Sequence, residues 1–478
     1  MMPKLNLNII DKVTKENVAA RVQILDSQGE FLSPATSILK IGPGSPFFYS
    51  DGVVECEVSR GPLQILVERG TEYIPNMISV DVFNGQKDIS VEMAKWSNLE
   101  DQGWHPGNTH IHYDEKEQDP DGRLQLDPRV ENLRMTAVSI LKRWDLEYAT
   151  NKFAPGMLND FSSEGYYVEC GEENRHNANG SHEIGYGHIM LLNIRNIVHP
   201  VSRGLLVDAF DPDYPPLSYA CDDAHRQGGI VIWCHNGNGM EAPVAGALGK
   251  VDAFNVFDPT WMEPEYDIYY KMLNTGIELP LSTGSDWFVS NANRVYAYTG
   301  ATFDYEDWLK ALISGKTFVT NGPAIYLEAN DAVVGDIIQL ESNETVNGII
   351  KWDSNFPVND VQLIYNGEVI VSRNFQPGLK EGAIQFDLEL EFEGWIAARL
   401  HSGSRDSFNQ PIFAHTSPIY LKNGRYSDAR KQSAKWFSDR IEDSKYWIGT
   451  KGKFYNNKQR REVMDLFNHA QAIYKQKS

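Results

Sequence analysis

Residues 218–235 read Ser-Tyr-Ala-Cys-Asp-Asp-Ala-His-Arg-Gln-Gly-Gly-Ile-Val-Ile-Trp-Cys-His. Ser218 is a helix opener, Gly228-Gly229 a helix stop, and 230–234 a short apolar run without polar alternation. A helix that hands over to a strand apolar on both faces belongs to an α/β unit, with helices covering a largely parallel sheet or barrel. The pattern continues outward on both sides. Asp127-Pro128 reads as an N-cap with proline at the first helical position, followed by Leu133, Ala137, Ile140, Leu141 and Trp144 on one helical face. Pro264 and Gly276 bracket another helix, and residues 166–170, 189–194, 253–257 and 279–281 read as buried strands.

Beyond residues 96–322 the period changes. Through 1–95 it is two, as in Leu5, Leu7 and Ile9, Val54, Cys56 and Val58, or Ile89, Val91 and Met93, with turns at Gly42-Pro43-Gly44, Gly61-Pro62 and Asn84-Gly85. Such alternation marks half-buried strands and an N-terminal β-sandwich. Residues 323–423 alternate again, strictly at Ile384, Phe386, Leu388, Leu390 and Phe392, and Asn366-Gly367 is a type I′ hairpin signal, so a second β-sandwich is expected. Residues 424–478 form a helical tail whose Val463, Phe467, Ala470 and Tyr474 share one face, expected to pack against the rest. The expected architecture is multidomain, α/β plus β.

Of the 478 residues, 41% are hydrophobic and 23% charged, enough apolar mass for several cores. The net charge of −21 makes nucleic acid and anionic membrane surfaces poor partners. Four cysteines without CxxC spacing point to free thiols. The first ten residues lack the apolar core of a secretory signal, and no run approaches the ~20 residues of a membrane span. The expected compartment is the cytoplasm, or the periplasm or exterior if a leader once preceded residue 1. Neither a GxSxG elbow nor a glycine-rich phosphate loop occurs, which leaves serine hydrolase, NTPase and dinucleotide-binding functions without support.

Nine of the twelve histidines fall between His105 and His235. Imidazole is the commonest protein ligand for metals, and His with Asp and Glu builds sites for borderline cations. In Asn108-Thr109-His110-Ile111-His112, strand geometry would turn both imidazoles to one face. Glu172 and Glu173, His235 and Asp286 each fall just past an expected strand end, the rim where α/β barrels gather catalytic side chains. His188, opening a strand, would reach that rim only under a folded-over loop.

His110-Ile-His112, Gly171-Glu172-Glu173 with Gly187-His188, Trp233-Cys234-His235-Asn236, and Ser282-Thr-Gly-Ser-Asp286-Trp, in this order, resemble the motifs of the PHP-type metallohydrolases, closest to the CehA/McbA, carbaryl hydrolase-like branch. The resemblance covers about residues 100–325. It implies a distorted PHP-like β/α barrel, between the two sandwiches and the tail, holding divalent ions through His110, His112, Glu173, His188, His235 and Asp286. Two positions depart from the pattern: Tyr148-Ala149-Thr150-Asn151 stands where a Thr-Asp-His is usual, and Asp286-Trp287-Phe288 where an Asp-x-His is. The aspartate that often precedes HxH by two positions is Asn108. One or two ions are therefore expected, zinc or manganese, with iron as a further candidate.

Around this set stand candidates for proton transfer and substrate contact. His176 and His182 lie in an Asn/Gly-rich loop, and His182 is the candidate proton donor; a solvated loop is the plain alternative. Glu241 is a candidate hydrogen-bond partner of a metal ligand, a general base or a surface glutamate, and Arg294 holds an anionic group or developing oxyanion or pairs with an acid. Trp233, Trp261, Trp287 and Phe288 would wall a pocket or pack in the core. His105 and His225 look structural. The expected reaction is metal-assisted hydrolysis with Asp286 or Glu241 taking the proton. The resemblance tilts the bond toward ester, carbamate or amide, with phosphoester second; the substrate would be a small molecule or polymer-derived. The alternatives are a non-catalytic, metal-containing glycan- or partner-binding protein, and a polysaccharide-processing enzyme whose sandwiches hold polymer.

Overall fold

The chain is described here by a computed structural model covering residues 2–40, 42–140, 152–163, 165–177, 185–200, 202, 212–258, 263–287, 290–340 and 345–478. Strands dominate a mixed α/β chain with few helices. In the N-terminal region, Lys4–Asp11 pairs antiparallel with Val53–Glu57 and parallel with Gln86–Met93. A second sheet runs through Phe48–Ser50, Ala20–Leu25, Gly61–Glu68 and Asn76–Val82. The alternation has its expected consequence: Leu5, Leu7, Ile9, Val54 and Val91 meet Val22, Ile24, Ile65 and Val67 in one apolar core.

The central sheet starts with Trp104–Ile111, Met135–Ile140 and Tyr167–His176, mutually parallel. Gly187–Leu192 then runs antiparallel to both Tyr167–His176 and Ile230–Trp233, and parallel pairing resumes through Ala253–Asn255 and Leu281–Ser282. The turn after Leu281–Ser282 lies against the end of Trp104–Ile111: Asp286 N donates to the His110 carbonyl at 2.8 Å and His112 N to the Trp287 carbonyl at 2.7 Å. Helices Leu217–Arg226, Asp267–Asn274 and Tyr305–Ile313 bury Ala220, Ala224, Tyr269, Met272, Trp308 and Leu312 against its strands.

The helix expected from Asp127 through Trp144 is not formed. The helix is Pro120–Val130, capped by the Asp119 carboxylate on Gly122 N at 2.9 Å, and Asp127-Pro128 lie in its last turn. Residues 135–140 are a strand with all six side chains buried. A segment buried on both faces has no polar phase, so Leu133, Ala137 and Ile140 imitate a helical stripe by coincidence. Leu141 and Trp144 lie outside the described residues.

On its other side Trp104–Ile111 pairs with Arg294–Tyr298, which pairs with Thr317–Thr320. Thr317–Thr320 pairs with Pro411–Thr416, so the ladder continues across residues 322–323 into the C-terminal strands. Asn366 (φ 49°) and Gly367 (φ 90°) turn the hairpin between Tyr365 and Glu368 as the sequence signal indicates. In the tail, Asp428–Thr450 and Asn457–Lys477 bury Phe437, Val463, Phe467, Ala470 and Tyr474 in the same core as Val244 and Ala245. The Tyr474 hydroxyl donates to the Pro243 carbonyl at 2.8 Å. The four cysteines are free and buried.

Candidate metal centre

His110 lies within Trp104–Ile111 and His112 just past its end, and their rings sit 5.1 Å apart on one side of the strand. Glu173 lies inside Tyr167–His176 rather than beyond it. His188 needs no folded-over loop. Its strand runs backwards, with Arg175 opposite His188 and Ile189 opposite Trp233, so its beginning lies beside the ends of both neighbours. His235 follows Ile230–Trp233 at φ 53°, and Asp286 follows Leu281–Ser282 at φ 45°. A left-handed backbone costs a non-glycine residue ~1–3 kcal/mol and recurs at functional sites. Gly284 lets the Asp286 turn lie flat on the first strand, since a Cβ there would stand 2.6 Å from His110 N.

These six side chains converge. His110 Nε2 lies 3.2 Å from Asp286 Oδ1 and 3.3 Å from Glu173 Oε2; His112 Nε2 lies 2.8 Å and 3.5 Å from the same two oxygens. The other oxygens face the other imidazoles: Glu173 Oε1 is 3.1 Å from His188 Nδ1 and 3.7 Å from His235 Nε2, and Asp286 Oδ2 is 3.1 Å from His235 Nδ1. The ligand atoms of His110, His112, Glu173 and Asp286 all lie within 4.8 Å of one another, as do those of Glu173, His188 and His235. Both carboxylates thus divide their oxygens between two groups of imidazoles.

The protonation states suit cation binding. Burial pushes the His188 imidazole down to about 3 and lowers His112 as well, so both are neutral near pH 7. Burial works against ionising Glu173 and Asp286, yet Arg175 and His110 beside the first, and His110 and His235 beside the second, hold both carboxyls far below the usual range. His188 Nε2 lies 3.0 Å from Asn177 Oδ1, a contact that orients the ring with Nδ1 toward Glu173 Oε1. Ser139 Oγ lies 3.1 Å from His112 Nδ1, fixing which nitrogen of that ring faces the carboxylates. Imidazoles at His112 and His188 that stay neutral beside ionised carboxylates are the donor set of a divalent cation. Two ligand atoms held at about 2.1 Å from a common ion stand roughly 3–3.5 Å apart, the spacing seen here.

Other sequence candidates are placed elsewhere. Glu241 is neither at the surface nor at the centre: buried, it accepts from Leu217 N at 2.8 Å and Ser218 N at 2.7 Å, a carboxylate on the N-terminus of Leu217–Arg226 where the helix dipole favours it. Arg294 is buried against Glu131, Nη2 to Oε2 at 3.1 Å and Nη1 to the carbonyl at 2.7 Å, so it takes the acid-pairing role. Glu172 points away from Glu173, as adjacent strand residues must, and accepts from Val198 N at 2.9 Å. His176 is buried between Asp213 and Tyr186 N, His105 meets the Gly300 carbonyl, and His225 meets Asp252. His182, Trp261 and Phe288 lie outside the described residues. Trp233 is core, while Trp287, beside Asp286, is 38% exposed.

A further residue at the centre carries a sequence signal. Arg175 follows Glu173 by two positions in a strand and so shares its face; its guanidinium is paired with Glu173 Oε2, and Nη2 lies 3.4 Å from His112 Nε2. Ser139 and Asn177 carry no pattern that separates them from other buried polar residues.

No family model matches the chain, and no curated protein matches it significantly. Among solved structures, it is similar to a two-domain protein from Bacteroides vulgatus containing a predicted PHP-like metal-dependent phosphoesterase, at 10% identity and a TM-score of 0.34, over 66% of this chain and 96% of that one. It is also similar to the TIE protein of Bacillus anthracis, at 8% identity and a TM-score of 0.14, over 89% of this chain and 49% of the other.

Proposed function

We propose that the protein is a hydrolase that works with two divalent ions, zinc or manganese first, and cleaves an ester, carbamate or amide bond. The observation that carries this is the division of the Glu173 and Asp286 carboxylates between two groups of imidazoles. His110, His112, Glu173 Oε2 and Asp286 Oδ1 would hold one ion, and His188, His235 and Glu173 Oε1 the other. Imidazole and carboxylate together suit zinc, manganese and iron. Bound divalent ions would supply water acidified from ~15.7 toward about 7 and polarisation of the scissile carbonyl.

The chain's own groups supply the rest. Ser139 and Asn177 orient the imidazoles that would bind. Asp286, ionised despite its burial, is placed to take a proton from water at Oδ2. Arg175 stands where a guanidinium can neutralise a developing oxyanion. It also favours a second substrate class, phosphoesters, whose negative charge it would meet. The four ordered motifs support a PHP-type enzyme of the CehA/McbA kind, with a β/α barrel at 96–322 between β-sandwiches at 1–95 and 323–423 and a helical tail at 424–478.

The test combines elemental analysis with aryl ester, aryl carbamate, anilide and aryl phosphate substrates. Two ions per chain, and turnover lost in His110→Ala and Asp286→Ala, are expected. Bound metal without turnover of any substrate, or turnover that survives both substitutions, would contradict the assignment.

A further inference from the structure

We infer that Asn108 is a positioning residue for the His110 and His112 ion site, and that this site needs its amide rather than a carboxylate. The role rests on the two-ion centre proposed above. Asn108 is fully buried two positions before His110. Its Oδ1 accepts from His110 N at 3.2 Å and Ser285 N at 3.1 Å. One oxygen therefore holds the backbone of a ligand on the first strand and the backbone next to a ligand on the last turn. Its Nδ2 donates to Ser285 Oγ at 2.7 Å and Ser290 Oγ at 3.1 Å.

The Ser285 hydroxyl has no proton to return. Ser285 Oγ donates its own to Asn291 Oδ1 at 3.0 Å and accepts from Asn291 N at 2.8 Å. The Ser290 hydroxyl bonds the Asp127 carboxyl group, which also accepts from Ser290 N at 3.1 and 3.2 Å. Every donor and acceptor of the Asn108 amide is matched, and a carboxylate in its place would set oxygen against oxygen at Ser285. The asparagine that departs from the resembled motif is the residue this network requires.

Of the ligands assigned to the two ions, the network ties only His110 and Asp286, both of the first site; its link to the second is the Asp286 Oδ2 that faces His235 Nδ1 at 3.1 Å. Asn108 ties His110 to the Ser285–Asp286 turn, whereas His188 is oriented by Asn177, and the loop after His235 is seated by the contact of Gly239 with Gly187. Substitution at 108 should therefore separate the two ions, which a general loss of folding cannot do.

The experiment is calorimetric titration of the metal-free full chain with Mn²⁺ and with Zn²⁺, alongside its far-ultraviolet circular dichroism. Asn108→Asp and Asn108→Ala should weaken one ion by about 10–100-fold, the usual cost of losing a partner that orients a ligand, and leave the other within about twofold. In a His188→Ala background, Asn108→Asp should weaken the remaining ion; in His110→Ala, where Asn108 acts only through the Ser285–Asp286 turn, its effect should be smaller. Ser290→Ala, which keeps the Oδ1 contacts, is a milder variant should the others misfold, and should weaken the same ion by a smaller factor. If the wild type takes two ions and Asn108→Asp takes both unchanged, or loses both equally, the positioning role is wrong and the two-ion centre stands. A wild type that takes fewer than two ions overturns the centre and this role with it.

Discussion

Glu173 and His188 meet diagonally across an antiparallel strand pair, Oε1 to Nδ1 at 3.1 Å, while the second oxygen of the same carboxylate is turned to His110 and His112. One side chain therefore belongs to both halves of the centre. Glu173→Gln keeps the shape and removes the charge, and should weaken both ions by 100-fold or more, since breaking a buried charged contact costs about 3 kcal/mol or more. Calorimetric titration checks this; loss of one ion alone would show that Glu173 serves a single site.

Arg175 distinguishes substrate classes. If its guanidinium meets a charged substrate, Arg175→Met should lower kcat/KM for an aryl phosphate by about 10–100-fold, the worth of a hydrogen bond to a charged group, and affect a neutral aryl ester less. Equal losses on both would assign Arg175 to the support of Glu173 alone.

Glu241 should matter for folding and not for metal. Removing its carboxylate strands two helix N–H groups in a buried place, so Glu241→Ala should cost about 1–3 kcal/mol in chemical denaturation while both ions still bind. Weaker metal binding at unchanged stability would return it to the centre.

At the far end of the strand that carries Glu173, burial raises the Glu169 carboxyl to about 7, with Asn193 N and the Tyr305 hydroxyl as its neighbours. Between about pH 4.5 and 7 the folded chain holds a proton there that the unfolded chain has released, so stability from this group falls as pH rises through that window and is flat above it. Glu169→Gln should match the wild type at pH 4 and be more stable at pH 8 by roughly 3 kcal/mol. Unfolding curves at both values check the sign; a variant equally stable or weaker at pH 8 would refute it.

How much of this could be read from residues alone follows from periodicity. Leu5, Leu7 and Ile9, the Asn366-Gly367 turn and the Val463 to Tyr474 stripe carry a phase that survives in the fold. Met135–Ile140 carries none, being buried on both faces, so its apolar positions fit helix and strand alike. The six converging side chains were legible because strand ends collect them, but the reversed direction of Gly187–Leu192 was not, since pairing partners leave no local mark. The partners of Glu241 and Arg294 leave no local mark in the sequence, because the Leu217–Arg226 N-terminus and Glu131 lie 24 and 163 residues away.

The central claim is most directly tested by anomalous scattering from crystals of the purified protein grown with Mn²⁺ or Zn²⁺. Two peaks are predicted, one among His110, His112, Glu173 and Asp286 and one among Glu173, His188 and His235. No peak near Glu173, or ions bound only elsewhere, would contradict it.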